Sequence, residues 1–249
     1  MAVVLWMLGY PDRAQERSNA GVALARQLGY PFGLGVPLTA AAILSQFRRE
    51  GTSVQASAEA IITLATEQGF AYRLGAGMIL RGWALAHQGH VHEGVEQLRQ
   101  GLAAWRAVGA GLVQPYWLAM LTEAYWWAGQ FESGLHTVAA ALAAGQHNHE
   151  PWWDAHLYWL KGGLLRAQHG TTHQTHEVEA CFRHALAVAR HQQAKSLELR
   201  AAMSLSRLWQ RRGKRDEARQ VLAEVYGWFT EGFDTADLQE AKALLDELA

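Results

Sequence analysis

The sequence predicts an all-α fold: a right-handed α-solenoid of antiparallel helix pairs, with about 40 residues per repeat. Three observations predict it. A glycine that ends a helical stretch returns every 40 residues, at Gly29, Gly69 and Gly109, in LARQLGYPFG, ATEQGFAYRL and WRAVGAGLVQ. A second series lies half a repeat away, at Gly51, Gly89, Gly129 and Gly213, in steps of 38, 40 and twice 42 residues. Alanine and leucine dominate a chain that is 50% hydrophobic and 18% charged, while runs of Val, Ile and Thr are missing. That composition supplies a core and favours helix.

Each element follows from helical periodicity and its punctuation. Pro11 and Asp12 begin a helix that runs to about Leu28. Pro31 falls in the turn after Gly29, and Pro37 and Leu38 begin the next helix, to about Glu50. Thr52 and Ser53 are placed to cap a helix ending near Gln68. Tyr72–Gln88 and Val91–Val108 form one pair, Pro115–Ala128 and Phe131–Ala144 another. Pro151 opens Trp152–Gln168, which His176–Gln193 answers. Ala194–Arg212 pairs with Arg215–Thr230, and Asp234 and Thr235 cap a last helix to Leu248. Proline stands at helix starts and glycine past helix ends, the usual asymmetry, and no proline interrupts a helix in this reading. The chain thus divides as a single domain, 1–249, with repeats at 1–29 (partial), 30–69, 70–109, 110–145, 146–193 and 194–232, and a capping helix at 235–248. Two stretches break the period, Gly145–Glu150 and His169–Thr175. Residues 2–8 read as the end of a helix whose partner is absent, so a first repeat without a polar cap would expose its apolar face.

Charge and composition exclude several classes. Formal net charge is −1 with both signs scattered, which is no nucleic-acid footprint. The basic cluster Arg207, Arg211, Arg212, Lys214 and Arg215 is broken by Asp216 and Glu217 and reads as a solvated helix end. The lone Cys181 allows no internal disulfide and lies on the apolar side of a helix, where a buried structural thiol is expected. The apolar start MAVVLWMLG has no basic segment before it. No run approaches the ~20 apolar residues that a bilayer crossing needs, so no membrane partner is expected and the default compartment is the cytoplasm.

The repeats carry a packing pattern. First helices hold a slim residue and a bulky one three later: Gly82 with Leu85, Thr122 with Tyr125, Gly162 with Leu165, Ser206 with Trp209. Second helices hold a small residue and a large one four later: Gly94 with Leu98, Gly134 with Val138, Val178 with Phe182, Ala218 with Leu222. Small positions let backbones approach and large ones fill the groove. The pattern resembles the tetratricopeptide repeat (TPR), with units longer than the usual ~34 residues. The stretch Ala194–Ala249, with ILRGWALAHQG, LRQGLAAWRAVGA and EACFRHALAVARHQQAKSLELR, resembles the C-terminal array of bacterial signalling proteins. Those join a class III nucleotide cyclase, a STAND-type ATPase and a repeat array. No G-x-x-x-x-G-K-[ST] loop occurs here, so ATPase activity is not carried over. The resemblance implies a sensor or scaffold array that regulates linked catalytic domains.

The twelve histidines and eleven tryptophans mark the candidate functional residues. Arg81, Trp83, Tyr116, Trp117, Glu123, Trp126, Tyr158, Trp159, Lys161, Arg166 and Arg200 fall on or beside first helices, which line the inner face of such arrays. There they would grip a protein or peptide with rigid aromatic area and charged clamps. Some of these rings must instead be core. No cofactor and no catalytic residue is expected on this reading. The alternative is a metal-assisted, hydrolase-like or small-ligand-binding activity in the His/Trp-rich middle, 146–176. Its ligand set would be His147, His149, Asp154, His156, His173 and His176. HExxH is absent, and imidazoles two apart diverge at turns. The open first repeat adds a further partner, a second copy of the chain in a homodimer.

Overall fold

The computed structural model describes residues 1–169 and 175–249. These form thirteen α-helices and one 3-10 turn, with no strand among the described residues. In chain order they are α1 Ala2–Met7, α2 Pro11–Leu28, α3 Pro31–Phe47, α4 Gly51–Gln68, α5 Ala71–His87, α6 Val91–Ala107, α7 Gln114–Trp127, α8 Phe131–Asn148, the turn Pro151–Trp153, α9 Asp154–His169, α10 Thr175–His191, α11 Lys195–Arg211, α12 Arg215–Tyr226 and α13 Ala236–Glu247. The chain folds as two compact units: Met1–Val3 with Arg13–Glu150, and Val4–Asp12 with Pro151–Ala249.

In the first unit α3–α4, α5–α6 and α7–α8 pack as helix pairs, and the first helices α3, α5 and α7 lie side by side. Glycine explains the tight α5–α6 pair. A Cβ on Gly94 would stand 2.6 Å from the Ala86 nitrogen and the Gly82 oxygen, and one on Gly82 would stand 2.7 Å from the Leu98 nitrogen. The backbones touch because neither residue has a side chain. Trp83, Trp105, Tyr116, Trp117, Ile79 and Leu98 are among the large side chains buried in this unit.

In the second unit α9–α10 and α11–α12 are the pairs, α13 packs on both α11 and α12, and α9 lies beside α11. Residues 4–12 belong to this unit. Trp6 is only 3% exposed. Its carbonyl accepts from Ser196 Oγ (2.5 Å), and the Arg200 guanidinium lies 5.0 Å over its ring. The Tyr10 ring packs tilted against Trp228 with centroids 5.3 Å apart, and the Gly232 N–H donates to Asp12 Oδ2 at 3.0 Å. So the apolar segment expected to stand open finds partners in residues 196–232 of its own chain.

The helix ends depart from expectation in instructive ways. Pro31 begins α3 and Pro37 lies inside it. Proline forfeits one helical hydrogen bond and presses on the carbonyl four residues back, which here belongs to Gly33, the least hindered residue available. Thr52 and Ser53 lie within the first turn of α4, whose N-cap is Glu50. Thr235 is the N-cap of α13, but its hydroxyl donates to the Gly232 carbonyl (2.6 Å) and not into the helix. The supposed loop at Gly145 is helical to Asn148.

Among the described residues four non-glycine residues take the left-handed turn conformation: Arg49, Val113, His149 and Gln193. His149 stands one 40-residue step after Gly109 and continues its series without glycine. Val113 (φ 58°) is the costly one, because a β-branched side chain crowds its own backbone there. It is held by its N–H, which donates to both Glu150 carboxylate oxygens at 3.1 Å. Val113→Gly is expected to stabilise the chain by about 1 kcal/mol in urea unfolding. A loss of stability would mean that the strain is not there.

Candidate functional site: the first-helix faces

In the first unit, side chains one repeat apart meet across α3, α5 and α7. Trp83 Nε1 donates to Glu123 Oε2 at 2.5 Å, and Gln46 Nε2 reaches the same oxygen at 3.4 Å. Tyr116 Oη donates to Gln46 Oε1 at 3.1 Å and its ring stands edge-on to Phe47. His87 stacks on Trp83 with centroids 4.8 Å apart, and Trp127 meets both rings edge-on at 5.6–5.8 Å. Glu123 is buried, and its carboxylate is the hub of this network. Burial, with Glu123 adding to it, holds the Tyr116 phenol well above its ordinary pKa.

His87 lies between two charges. Burial lowers its pKa most; Glu123 raises it and Arg49 lowers it further. The folded chain therefore binds this proton less readily than the unfolded chain does. The His87 contribution to stability is complete above pH ~6.5 and is lost as pH falls through the depressed folded value. Stability is expected to drop as pH falls below 6.5, and His87→Phe, which keeps the stacking, should flatten that slope. Equal slopes in urea titrations of the two proteins would refute the assignment.

The structure separates the expected groove residues into core and face. Trp83, Tyr116 and Trp117 are each 1% exposed and are core. Arg200 is buried too, with Nη2 and Nε at 2.8 and 2.9 Å from Asp237 Oδ2. Arg81 is half-buried, and its Nε has no hydrogen-bond partner. Trp126, Tyr158, Trp159, Lys161 and Arg166 are half-buried. Trp159 Nε1 donates to Ser204 Oγ at 2.8 Å, and Tyr158 packs edge-on to His184 at 4.1 Å. Gln46, His87, Arg207 and Arg211 belong on the same faces and were absent from the expectation.

The described histidines of the middle region are not gathered into a metal centre. Among the described residues no group of three His, Cys, Asp or Glu side chains could hold a metal ion. His147 and His149 are exposed at the end of α8, and His176 is exposed at the start of α10. His156 is 2% exposed and packed between Trp153 (4.7 Å) and Trp159 (5.1 Å). Burial raises the Asp154 pKa, and His184 offsets part of that. His173 lies outside the described residues. Cys181 is buried, and burial first of all pushes its thiol pKa up, the opposite of an activated nucleophile.

Two solved structures resemble this architecture. Both are of a Podosopora anserina protein classed with kinesin light chains and described by nearly identical TPR-like repeats, the second a single-substitution variant. Each is 18% identical and covers 78% of this chain, with 95% and 94% of its own length covered and TM-scores of 0.51 and 0.52. The fold is a TPR-like α-solenoid. No protein-family model and no curated protein sequence matches the chain. Among the described residues no helix of this TPR-like chain is long and apolar enough to cross a membrane.

Proposed function

We propose that this TPR-like chain is a scaffold whose first-helix faces bind a protein or peptide partner. One observation carries the reading. Trp127 is 40% exposed, yet its ring is fixed edge-on against the buried Trp83 and the stacked His87. A rigid, half-open indole on a fixed platform offers large contact area with little side-chain freedom to lose, the character of an interface anchor. Peptides selected from a displayed library on the full chain test it. Trp127→Ala should weaken the selected peptides about tenfold or more, while Glu96→Ala, on the exposed side of α6, should not. Peptides that bind both variants alike would overturn the reading. From the resemblance of Ala194–Ala249 to bacterial signalling arrays we further propose that this scaffold works beside a cyclase or ATPase domain in the cytoplasm.

A second reading has its own observation. Leu24, Leu28, Tyr30, Phe32 and Val36, in the first repeats of the first unit, are all more than half exposed. Together they form an apolar edge of the kind that pairs two copies of a chain. Sedimentation of the chain and of Leu28→Glu/Phe32→Glu decides it: a dimer that the double variant converts to monomer supports pairing through this edge, and a monomeric parent refutes it.

A further inference from the structure

We propose that Arg166, Arg207 and Arg211 form a site for the phosphoryl group of a phosphate monoester on the first-helix face of the second unit. Arg207 and Arg211 stand one turn apart on α11 and share a face. The neighbouring α9 is keyed to α11 by the hydrogen bond from Trp159 to Ser204. Seven residues on from each of those partners, two turns along helices of the same direction, stand Arg166 and Arg211. The three guanidiniums are therefore brought to one place by register. Burial most of all, then Arg211 and Arg207, lowers the pKa of Arg166, as crowding of like charge requires.

What sets the trio apart is the lack of matching carboxylates. Several other cations of this unit are paired: Arg212 with Glu179, Arg190 and Lys195 with Glu198, Arg200 with Asp237. Among the described residues only Glu240 comes within ion-pair reach of the trio, 3.6 Å from Arg207. Arg166 is half-buried and, among the described residues, has no acidic partner, and neither has the exposed Arg211. Three guanidiniums against one carboxylate leave a surplus of about two positive charges. A single carboxylate ligand answers half of that, whereas a phosphate monoester carries ≈ −1.5 to −2 at neutral pH. Guanidinium forks also match phosphate oxygens two at a time. The phosphoryl group can come from a phosphorylated side chain or from a nucleotide.

This site does not rest on the Trp127 face, which lies in the other unit, and either can fail alone. The test is calorimetric titration of the full chain with inorganic phosphate, phosphoserine and ATP, at an ionic strength matched with chloride. Inorganic phosphate should bind where chloride shows nothing. Arg211→Gln, at an exposed position that folding does not depend on, and Arg166→Gln should each weaken it about tenfold or more. Arg99→Gln, an exposed arginine of the first unit, should leave it unchanged. Tighter binding of phosphoserine or of ATP than of phosphate identifies the source, and equal binding shows that the phosphoryl group alone is read. Phosphate behaving as chloride does, or an equal loss in Arg99→Gln, overturns the proposal.

Discussion

Gly94→Ala is expected to destabilise the first unit by about 3 kcal/mol, the upper end of what overpacking produces. The added methyl would meet the Ala86 nitrogen and the Gly82 oxygen at 2.6 Å and Ala86 Cβ at 2.7 Å. None of these is the far end of a flexible side chain. Relief requires α5 and α6 to move apart, and that motion loosens the packing of Leu98 and Trp83 behind them. For a chain of this size the midpoint of thermal unfolding should fall by roughly 6–12 °C. Gly111→Ala supplies the control, because a Cβ there meets nothing within 4 Å. Similar unfolding curves for the two variants would show that α5 and α6 are not in contact at Gly94.

The second large effect is expected at Arg200. Its guanidinium bonds twice to Asp237 Oδ2 and lies over the Trp6 ring, and both charged side chains are buried. Arg200→Met removes the cation and leaves the carboxylate in place, which should cost about 3–5 kcal/mol. Adding Asp237→Leu should restore most of the loss, because apolar groups of similar volume replace a buried pair at little net cost. Urea unfolding of the single and double variants reads both halves. A single variant within about 1 kcal/mol of the parent would mean that water, and not Arg200, satisfies Asp237.

The pairing of helices was legible because glycine recurs with the period of the repeat. Gly82 and Gly94, read as the small positions of one pair, are where two backbones touch. Helix starts were less legible. Pro31 and Pro37 are both competent first-turn residues, and only the accommodating Gly33 decides that the earlier one starts α3. The site residues were half legible for one physical reason: a first helix turns one flank to its pair and the other to the next repeat. Trp83, Tyr116 and Trp117 carry the composition of a binding face but lie on the buried flanks. A usable signal was present in the spacing. Trp83 and Glu123 are 40 residues apart, Arg200 and Asp237 37, Trp159 and Ser204 45. Residues one repeat apart on first helices meet across the gap, so His87 with Trp127 could have been found as a pair. Imidazole count misled because His156 is packed by indoles while His147 and His149 are exposed.

The residence of Val4–Asp12 among Pro151–Ala249 bears on how the protein emerges from the ribosome. Trp6 is made 190 residues before Ser196, whose hydroxyl binds its carbonyl. At about 5–20 residues per second that segment waits roughly ten to forty seconds for its seat. Until then its indole is an adhesive spot on a growing chain, and its burial waits on the synthesis of α11.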